Sequence, residues 1–325
     1  MYLDNKLVFL AGATGLAGTS IMKYILYNYP STKIKASFFH TKPFIKHKRV
    51  EYVYGDLKSQ KDCREMVKGC DCAIMAAAST GGSNQSNLQP LAQVNENIVM
   101  NAQMLESFYF EHIKRVVYIG SATLYQEFQG HIKEDELDLN KDPHLAYLGV
   151  GWVVRFIEKL CKFWHEKYEM EILISRTSNI YGPCAKFNPA VSNFIPAIIR
   201  NAVDKVDPFE VWGTPDVIRD VIYSEDFARA IVTMLDNEKI KFDIFNIGSG
   251  TRTTVDEVVK LALKYAEHRP SIVKYNSSKP TTIKFRGLEI SKAKKVLDWQ
   301  PRYAIDEGIK KTTQWWIKNK DEWKK

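Results

Sequence analysis

The chain has no run approaching the roughly 18 consecutive apolar residues that a membrane-spanning helix needs, so no membrane association is expected. It also lacks any C-x-x-C pair. Its five cysteines, Cys63, Cys70, Cys72, Cys161 and Cys184, form an odd set that suits neither a disulfide framework nor a structural zinc site, and free thiols without a metal are expected. Strand-like sequence begins by Lys6, which leaves no room for a signal peptide and makes a cytoplasmic location the expectation. Internal repeats, low-complexity tracts and an obvious interdomain linker are missing too. The net charge is +8, but the lysines are dispersed and densest toward the C-terminus, as on solvated helix faces. That pattern argues against a nucleic-acid partner, and an anionic small substrate accounts for the basic balance. What remains is 325 residues with 45% hydrophobic content, enough for a large α/β unit with a smaller lobe.

The strongest local signal lies at the start. The apolar run Lys6–Ala11 leads straight into Gly12-Ala13-Thr14-Gly15-Leu16-Ala17-Gly18 and then into an apolar-periodic helix. A strand that ends in spaced glycines and opens a helix suits a dinucleotide: Gly12 permits the tight turn, Gly15 the approach of a pyrophosphate, and Gly18 the packing of helix on strand. The helix N-terminus adds N–H groups and a positive dipole end. The spacing is G-x-x-G-x-x-G.

Strand-like runs recur at Lys33–Phe39, Val50–Tyr54, Cys72–Ala77, Arg115–Ile119 and Glu171–Arg176. Helical segments separate them at Gly18–Tyr27, Asp62–Lys68, Asn95–Phe110 and Val153–Tyr168. This alternation predicts a doubly wound parallel sheet. A nucleotide-binding lobe would occupy residues 1–178 and a substrate-binding lobe 179–325, with Phe242–Ile247 returning to the first sheet as a strand. Proline and glycine punctuate the second lobe, and Thr254-x-x-Glu257 reads as a capping box before Val258–Ala266.

Several blocks stand in the order found in extended short-chain dehydrogenases/reductases. They are the Gly12–Gly18 turn, Gly55-Asp56-Leu57, Ala76-Ala77-Ala78, the segment Gly120–Tyr125, Asn179–Pro183 and Arg219–Asp226. Ala76–Gly82, Phe194–Ala197, Val211-Trp212-Gly213 and Lys279-Pro280 followed by Arg286 give a closer resemblance to GDP-L-fucose synthases and neighbouring nucleotide-sugar epimerases. The resemblance implies a Rossmann-type fold with a smaller mixed α/β lobe. It implies that Gly12, Thr14, Gly15, Leu16, Ala17, Gly18, His40, Asp56, Leu57, Ala76, Ala77, Ala78 and Asn97 surround a nicotinamide dinucleotide, Asp56 and the Leu57 N–H meeting the adenine. Ser121 would hydrogen-bond the reacting sugar oxygen. Thr123, Asn179, Asn193, Arg200, Trp212, Arg219 and Arg286 would line the nucleotide-sugar site, the arginines on the diphosphate and the indole on base or ribose. The second strand ends Phe38-Phe39-His40-Thr41-Lys42 with neither an acid for a ribose nor an arginine for a 2′-phosphate. NAD is the expected cofactor and NADP the alternative.

The chain departs from this family where chemistry happens. Family members use a Tyr-x-x-x-Lys pair to move the proton that accompanies hydride. Aligning the helix through Glu158 and Tyr168 puts Val150 and Val154 on those two places, with both expected to face the reacting atoms across an apolar gap. Tyr147, three residues early, is a formal substitute that a loop shift would have to bring in. Thr123 and Asn193 replace the cysteine and histidine of the double epimerisation, and Ala122-Thr123 replaces the Asp-Glu of sugar 4,6-dehydratases, so both reactions are disfavoured. The expectation is hydride exchange at C4 of a nucleotide-linked, most simply GDP-linked, sugar in surface-polysaccharide synthesis. The alternatives are a C4 epimerase and a catalytically silent binder. The resemblance also implies a homo-oligomer in which the Asn97 and Val154 helices form a four-helix interface.

Overall fold

The computed structural model describes residues 1–80, 90–278 and 284–323. Gly81, Gly82, Lys279 and Pro280 of the resemblance blocks lie outside the described residues. Seven parallel strands make the main sheet: β1 (Leu7–Ala11), β2 (Lys33–Phe38), β3 (Val50–Tyr54), β4 (Cys72–Met75), β5 (Arg115–Ser121), β6 (Glu171–Thr177) and β7 (Phe242–Ile247). Their spatial order is β7-β6-β5-β4-β1-β2-β3. The order reverses between β1 and β4, where Val8 pairs with Cys72, and at such a switch point a crevice opens beyond the strands' carboxyl ends. Ser121 stands there, level with Thr177 of β6.

Strand alternation explains why both faces are covered. Val8 and Leu10 point into one apolar cluster with Ile21, Ile25, Phe227 and Ile231, whereas Phe9 and Ala11 point into another with Met104, Phe108, Ile157 and Cys161. The helices supplying these faces are α1 (Leu16–Asn28), α2 (Gln60–Val67), α3 (Pro90–Phe110) and α4 (Leu148–Tyr168). The later helices are α5 (Phe194–Val203), α6 (Ser224–Asp236), α7 (Val255–Tyr265), α8 (Ser291–Leu297) and α9 (Ile305–Asn319). Helix α6 packs on α1, and α8 on β7, so after residue 178 the chain returns to the first core more than once; Trp299, 1% exposed, is part of it. A third cluster built from Phe187, Ile199, Val211, Val258, Ile309 and Trp316 forms the smaller lobe. Thr254 Oγ1 accepts the Glu257 N–H at 3.0 Å, which makes it the N-cap of α7.

Boundaries differ from the sequence reading in two informative places. β4 leaves the ladder after Met75 and not at Ala77, because Ala76 and Ala77 pass close over Gly12. Helix α4 starts at Leu148, five residues earlier than expected, so Val150 and Val154 share one helical face. All five cysteines are buried free thiols. Among the described residues no helix is long and apolar enough to cross a membrane.

Candidate functional site

The glycine turn divides its work three ways. Gly12 has φ +69°, and a β-carbon there would lie 2.7 Å from the Ala77 α-carbon. A β-carbon on Gly18 would overlap the Gly12 carbonyl. Both glycines are therefore required by the fold. At Gly15 the nearest atom to such a carbon is 3.4 Å away, so the chain itself leaves that side open. Gly15 is the N-cap of α1, no side chain caps it, and no acid occupies the first turn. The amides of Leu16, Ala17 and Gly18 are the first-turn N–H groups of this helix, which suits an anion. Thr14 is buried beside them, and the Gly12 N–H is held by Ser37 Oγ at 3.3 Å. An open cradle, unneeded by packing and ringed by amides, fits the pyrophosphate of a dinucleotide.

Around this cradle, Phe39 and His40 place their rings 4.1 Å apart, with Tyr54 5.8 Å from Phe39. His40 is exposed. Asp56 accepts the Lys58 N–H at 3.0 Å and stands 3.9 Å from the Lys58 ammonium, while Leu57 is buried. Ala76 and Ala77 are half-buried and Ala78 is exposed. Asn97 is 8% exposed and grips the chain leaving β4: its Oδ1 accepts the Ser79 N–H at 2.9 Å, and its Nδ2 donates to the Ser79 carbonyl at 3.0 Å. It thus steadies the Ala76–Ala78 wall by fixing the backbone of the adjoining Ser79.

At the end of β5, Ser121 Oγ accepts both the Thr123 N–H at 3.2 Å and the Thr123 hydroxyl at 3.1 Å. Val154 is 7% exposed, with Cγ1 3.5 Å from where a Gly120 β-carbon would stand. Val150 packs half-buried against the same cluster. Val154 therefore packs against the backbone of β5 one residue before Ser121, and Val150 stands one turn earlier on the same face of α4. Tyr147, at the entry to α4, carries its ring over Arg286, with 5.1 Å from guanidinium carbon to ring centroid.

Arg286 in turn stands opposite Arg219 on neighbouring parallel strands of the second lobe, Phe285–Leu288 and Ile218–Arg219. Burial lowers the pKa of both, that of Arg286 to about 10, where Tyr147 opposes the shift and the Arg219 charge adds to it. A guanidinium is hard to deprotonate, so the shift measures how poorly the site tolerates two adjacent desolvated cations, and an anion would relieve it. The next residue, Asp220, points away by strand alternation and anchors the pair's backbone. Its carboxylate accepts the Ser249 N–H at 2.7 Å, the Ser249 hydroxyl at 2.9 Å and the Leu288 N–H at 3.0 Å, and burial raises its pKa.

Not every expected substrate residue joins this group. Arg200 donates to the Phe187 carbonyl at 2.8 Å, Ser192 Oγ at 3.3 Å and Asn201 Oδ1 at 3.0 Å. Its guanidinium is thereby engaged in holding the loop before α5. Asn193 is the exposed N-cap of that helix, Asn179 is exposed at a strand start, and Trp212 is 50% exposed at the end of the strand Phe209–Trp212.

Two features escaped the sequence reading. Arg176 and Glu158 form a buried bidentate pair at 3.0 and 2.9 Å, and Arg176 also meets the Tyr125 hydroxyl at 3.0 Å. Tyr125 continues to Asn246 of β7 at 2.7 Å, so this network locks α4 to the sheet one turn beyond Val154. An arginine inside the apolar run of β6 was its signal. The second is Lys186, whose ammonium crosses from the second lobe to the Thr80 carbonyl at 2.8 Å and the Thr80 hydroxyl at 3.3 Å. A lysine shortly after Gly182-Pro183 gave only a faint hint of it.

Comparisons with known proteins agree with this geometry. Residues 8–248 match the model of the NAD dependent epimerase/dehydratase family. GDP-L-fucose synthase of Sinorhizobium fredii is 24% identical over 98% of this chain and 98% of that protein. GDP-mannose 3,5-epimerase of Arabidopsis thaliana is 26% identical over 84% of this chain and 71% of that protein. The solved structure of an epimerase from Methanothermobacter thermautotrophicus superposes with a TM-score of 0.87 at 21% identity, covering 98% of this chain and 94% of that one, which is a likeness of fold. With the matched region running from the first strand through β7, the chain belongs to the NAD dependent epimerase/dehydratase family.

Proposed function

We propose that this protein is a cytoplasmic oxidoreductase that binds NAD and a nucleotide-linked, most simply GDP-linked, sugar and exchanges hydride at the sugar's C4 in surface-polysaccharide synthesis. The observation that carries the reading is the Arg219–Arg286 pair. Two desolvated cations on adjacent strands suit a diphosphate, and Tyr147 connects them through α4 to Val154 and the Ser121 end of β5. Residues 1–178 would carry the dinucleotide, with Gly15 and the first-turn amides of α1 at its pyrophosphate, and 179–325 the nucleotide sugar. When bound, NAD supplies the hydride acceptor or donor.

Ser121 and Thr123 would hold the reacting oxygen through hydroxyls that already hydrogen-bond each other. Val150 and Val154 cannot move a proton. That duty would fall to Ser121, Tyr147 or a bound water, and losing a positioned acid or base costs about 10²–10⁴-fold in rate. The same valines favour a second reading, a silent binder of cofactor and sugar nucleotide. Absorbance in the reduced-nicotinamide band decides between them, with protein and NADH mixed with oxidised GDP-sugars, or protein and NAD mixed with GDP-mannose. A spectral change supports hydride exchange, and calorimetric binding without one supports the silent reading. Binding of neither nucleotide sugar nor dinucleotide defeats both.

The exposed apolar residues Trp152, Phe156 and Phe163 on α4, with Val99 and Phe110 on α3, support a homodimer through a four-helix interface. Helices α3 and α4 pack together within one chain and would present this face jointly.

A further inference from the structure

The connector from α8 to α9 forms one wall of a cavity of about 420 Å³, and the turn from Ser249 to Thr253 with the first turn of α7 forms another. Val221 and Tyr181, both buried, also line it and give it an apolar base. The volume falls within the range of small-molecule sites, about 300–1,000 Å³. Arg219, Arg286, Tyr147, Asn179 and Trp212 take no part in the lining, so the cavity is separate from the proposed nucleotide-sugar site.

Its charge is one-sided. Arg252, Lys294 and Arg302 line it against a single carboxylate, that of Glu257, which leaves two positive charges in excess. The three cationic groups make no hydrogen bond or ion pair with the described residues, whereas Arg64 pairs with Glu111, Arg115 with Glu171 and Arg229 with Asp226. The frame that carries them is nevertheless fixed. The Arg252 guanidinium carbon stands 4.6 Å from the centre of the Phe285 ring, and Asp226 Oδ2 accepts the backbone N–H groups of Arg302 and Tyr303, both at 2.8 Å. The Tyr303 hydroxyl donates to Glu225 at 2.5 Å, which holds its ring in the wall. Two guanidinium forks with free N–H groups match phosphate oxygens bidentately, and a phosphate monoester, close to a dianion at neutral pH, balances the excess charge. The apolar base, Pro301 and the Tyr303 ring leave room for the organic part of such an ester.

We propose that this cavity is a second ligand site, in which Arg252 and Arg302 bind the phosphate of a small organic phosphate monoester. The proposal goes beyond the nucleotide-sugar reading and stands independently of it.

The test is calorimetry on the full-length protein with glucose 1-phosphate, inorganic phosphate and citrate at fixed ionic strength. The wild type is compared with Arg286→Met, which disables the expected diphosphate site, and each is compared with a form that also carries Arg252→Gln and Arg302→Gln. Those two side chains are exposed and hold no polar partner in the protein, so the glutamines should leave Tm unchanged. Arg286→Met should still bind one glucose 1-phosphate per chain, more tightly than inorganic phosphate, and the two glutamines should weaken that binding roughly a hundredfold. In the wild type the glutamines should remove the same binding event. Absence of binding by Arg286→Met overturns the proposal, as does binding that the glutamines leave unchanged in either background. Inorganic phosphate bound as tightly as glucose 1-phosphate overturns the assignment of an organic ester, and citrate bound more tightly overturns the assignment of a phosphate. The nucleotide-sugar reading is checked separately, by the affinity of the wild type for GDP and UDP, so the failure of one leaves the other standing.

Discussion

The Arg286 guanidinium lies 5.1 Å from the centre of the Tyr147 ring and opposite Arg219 on the next strand. A cation–π contact contributes about 0.5–2 kcal/mol, which offsets part of the repulsion between two desolvated guanidinium groups. The rest of that cost is what an anion would remove. Arg286→Met should therefore separate stability from binding. Without ligand its Tm should rise by about 2 °C for each kcal/mol of relieved repulsion, while affinity for GDP or UDP falls roughly ten- to a hundredfold. Scanning calorimetry with and without GDP or UDP checks it; a variant that is less stable throughout and binds as before would show that the pair is structural.

Gly15 and Gly18 make opposite predictions although they stand three residues apart. A β-carbon on Gly18 collides with the Gly12 carbonyl, so Gly18→Ala should lose about 1–3 kcal/mol or fail to fold. Gly15 meets nothing closer than 3.4 Å, so Gly15→Val should cost only about 1 kcal/mol, from a poorer N-cap, yet abolish NAD retention. Chemical denaturation and cofactor content after purification separate the two. A folded Gly15→Val protein that retains NAD places the dinucleotide elsewhere.

The contrast between these glycines and Lys186 explains how much of the molecule could be read from its sequence. The glycine turn, the seven strands and the Thr254 cap are local patterns, fixed by residues within a few positions of one another. Asn97, on its helix, and Ser121, the last residue of β5, are placed in the site by the family resemblance, which rests on the blocks around them and not on periodicity. The resemblance sets Arg200 near the diphosphate by position, and what its guanidinium reaches in the structure, oxygens of Phe187, Ser192 and Asn201, is not legible from that position alone. Lys186 meets Thr80 across 106 residues and Tyr125 meets Asn246 across 121, contacts with no periodicity to announce them. The position of Tyr147 over Arg286 likewise depends on α4 starting at Leu148, and helix starts are set by tertiary packing as much as by propensity.

The outer face of α3 and α4 tests the expected assembly. Phe156 is 49% exposed and Phe163 45%, two turns apart on α4, and an unpartnered aromatic face of this kind is costly in water. Phe156→Glu with Phe163→Glu should convert a dimer into a folded monomer in sedimentation experiments, with little change in Tm extrapolated to low protein concentration. A wild type that already sediments as a monomer removes the four-helix interface.

Val150 is half-buried at the edge of the first core and Val154 lies inside it, 3.5 Å from the β-carbon position of Gly120, so the two sites will not respond alike to the family's residues. Val150→Tyr can point its hydroxyl toward the cleft beside Ser121, and should be tolerated. Val154→Lys alone puts an ammonium among apolar side chains without a counter-charge and should cost about 3 kcal/mol or more. Together with bound NAD, the lysine gains the tyrosine oxygen and the ribose hydroxyls as partners, so added NAD should restore more Tm to the double variant than to the wild type. If the protein descends from an active enzyme with its other site residues intact, Val150→Tyr with Val154→Lys should also raise C4 hydride exchange by on the order of 10²-fold. Stopped-flow absorbance with NADH and an oxidised nucleotide sugar measures it. A double variant that folds, binds both ligands and reacts no faster would move the proton route away from α4, and loss of the wild-type rate in Tyr147→Phe would then identify the phenol over Arg286 as its carrier.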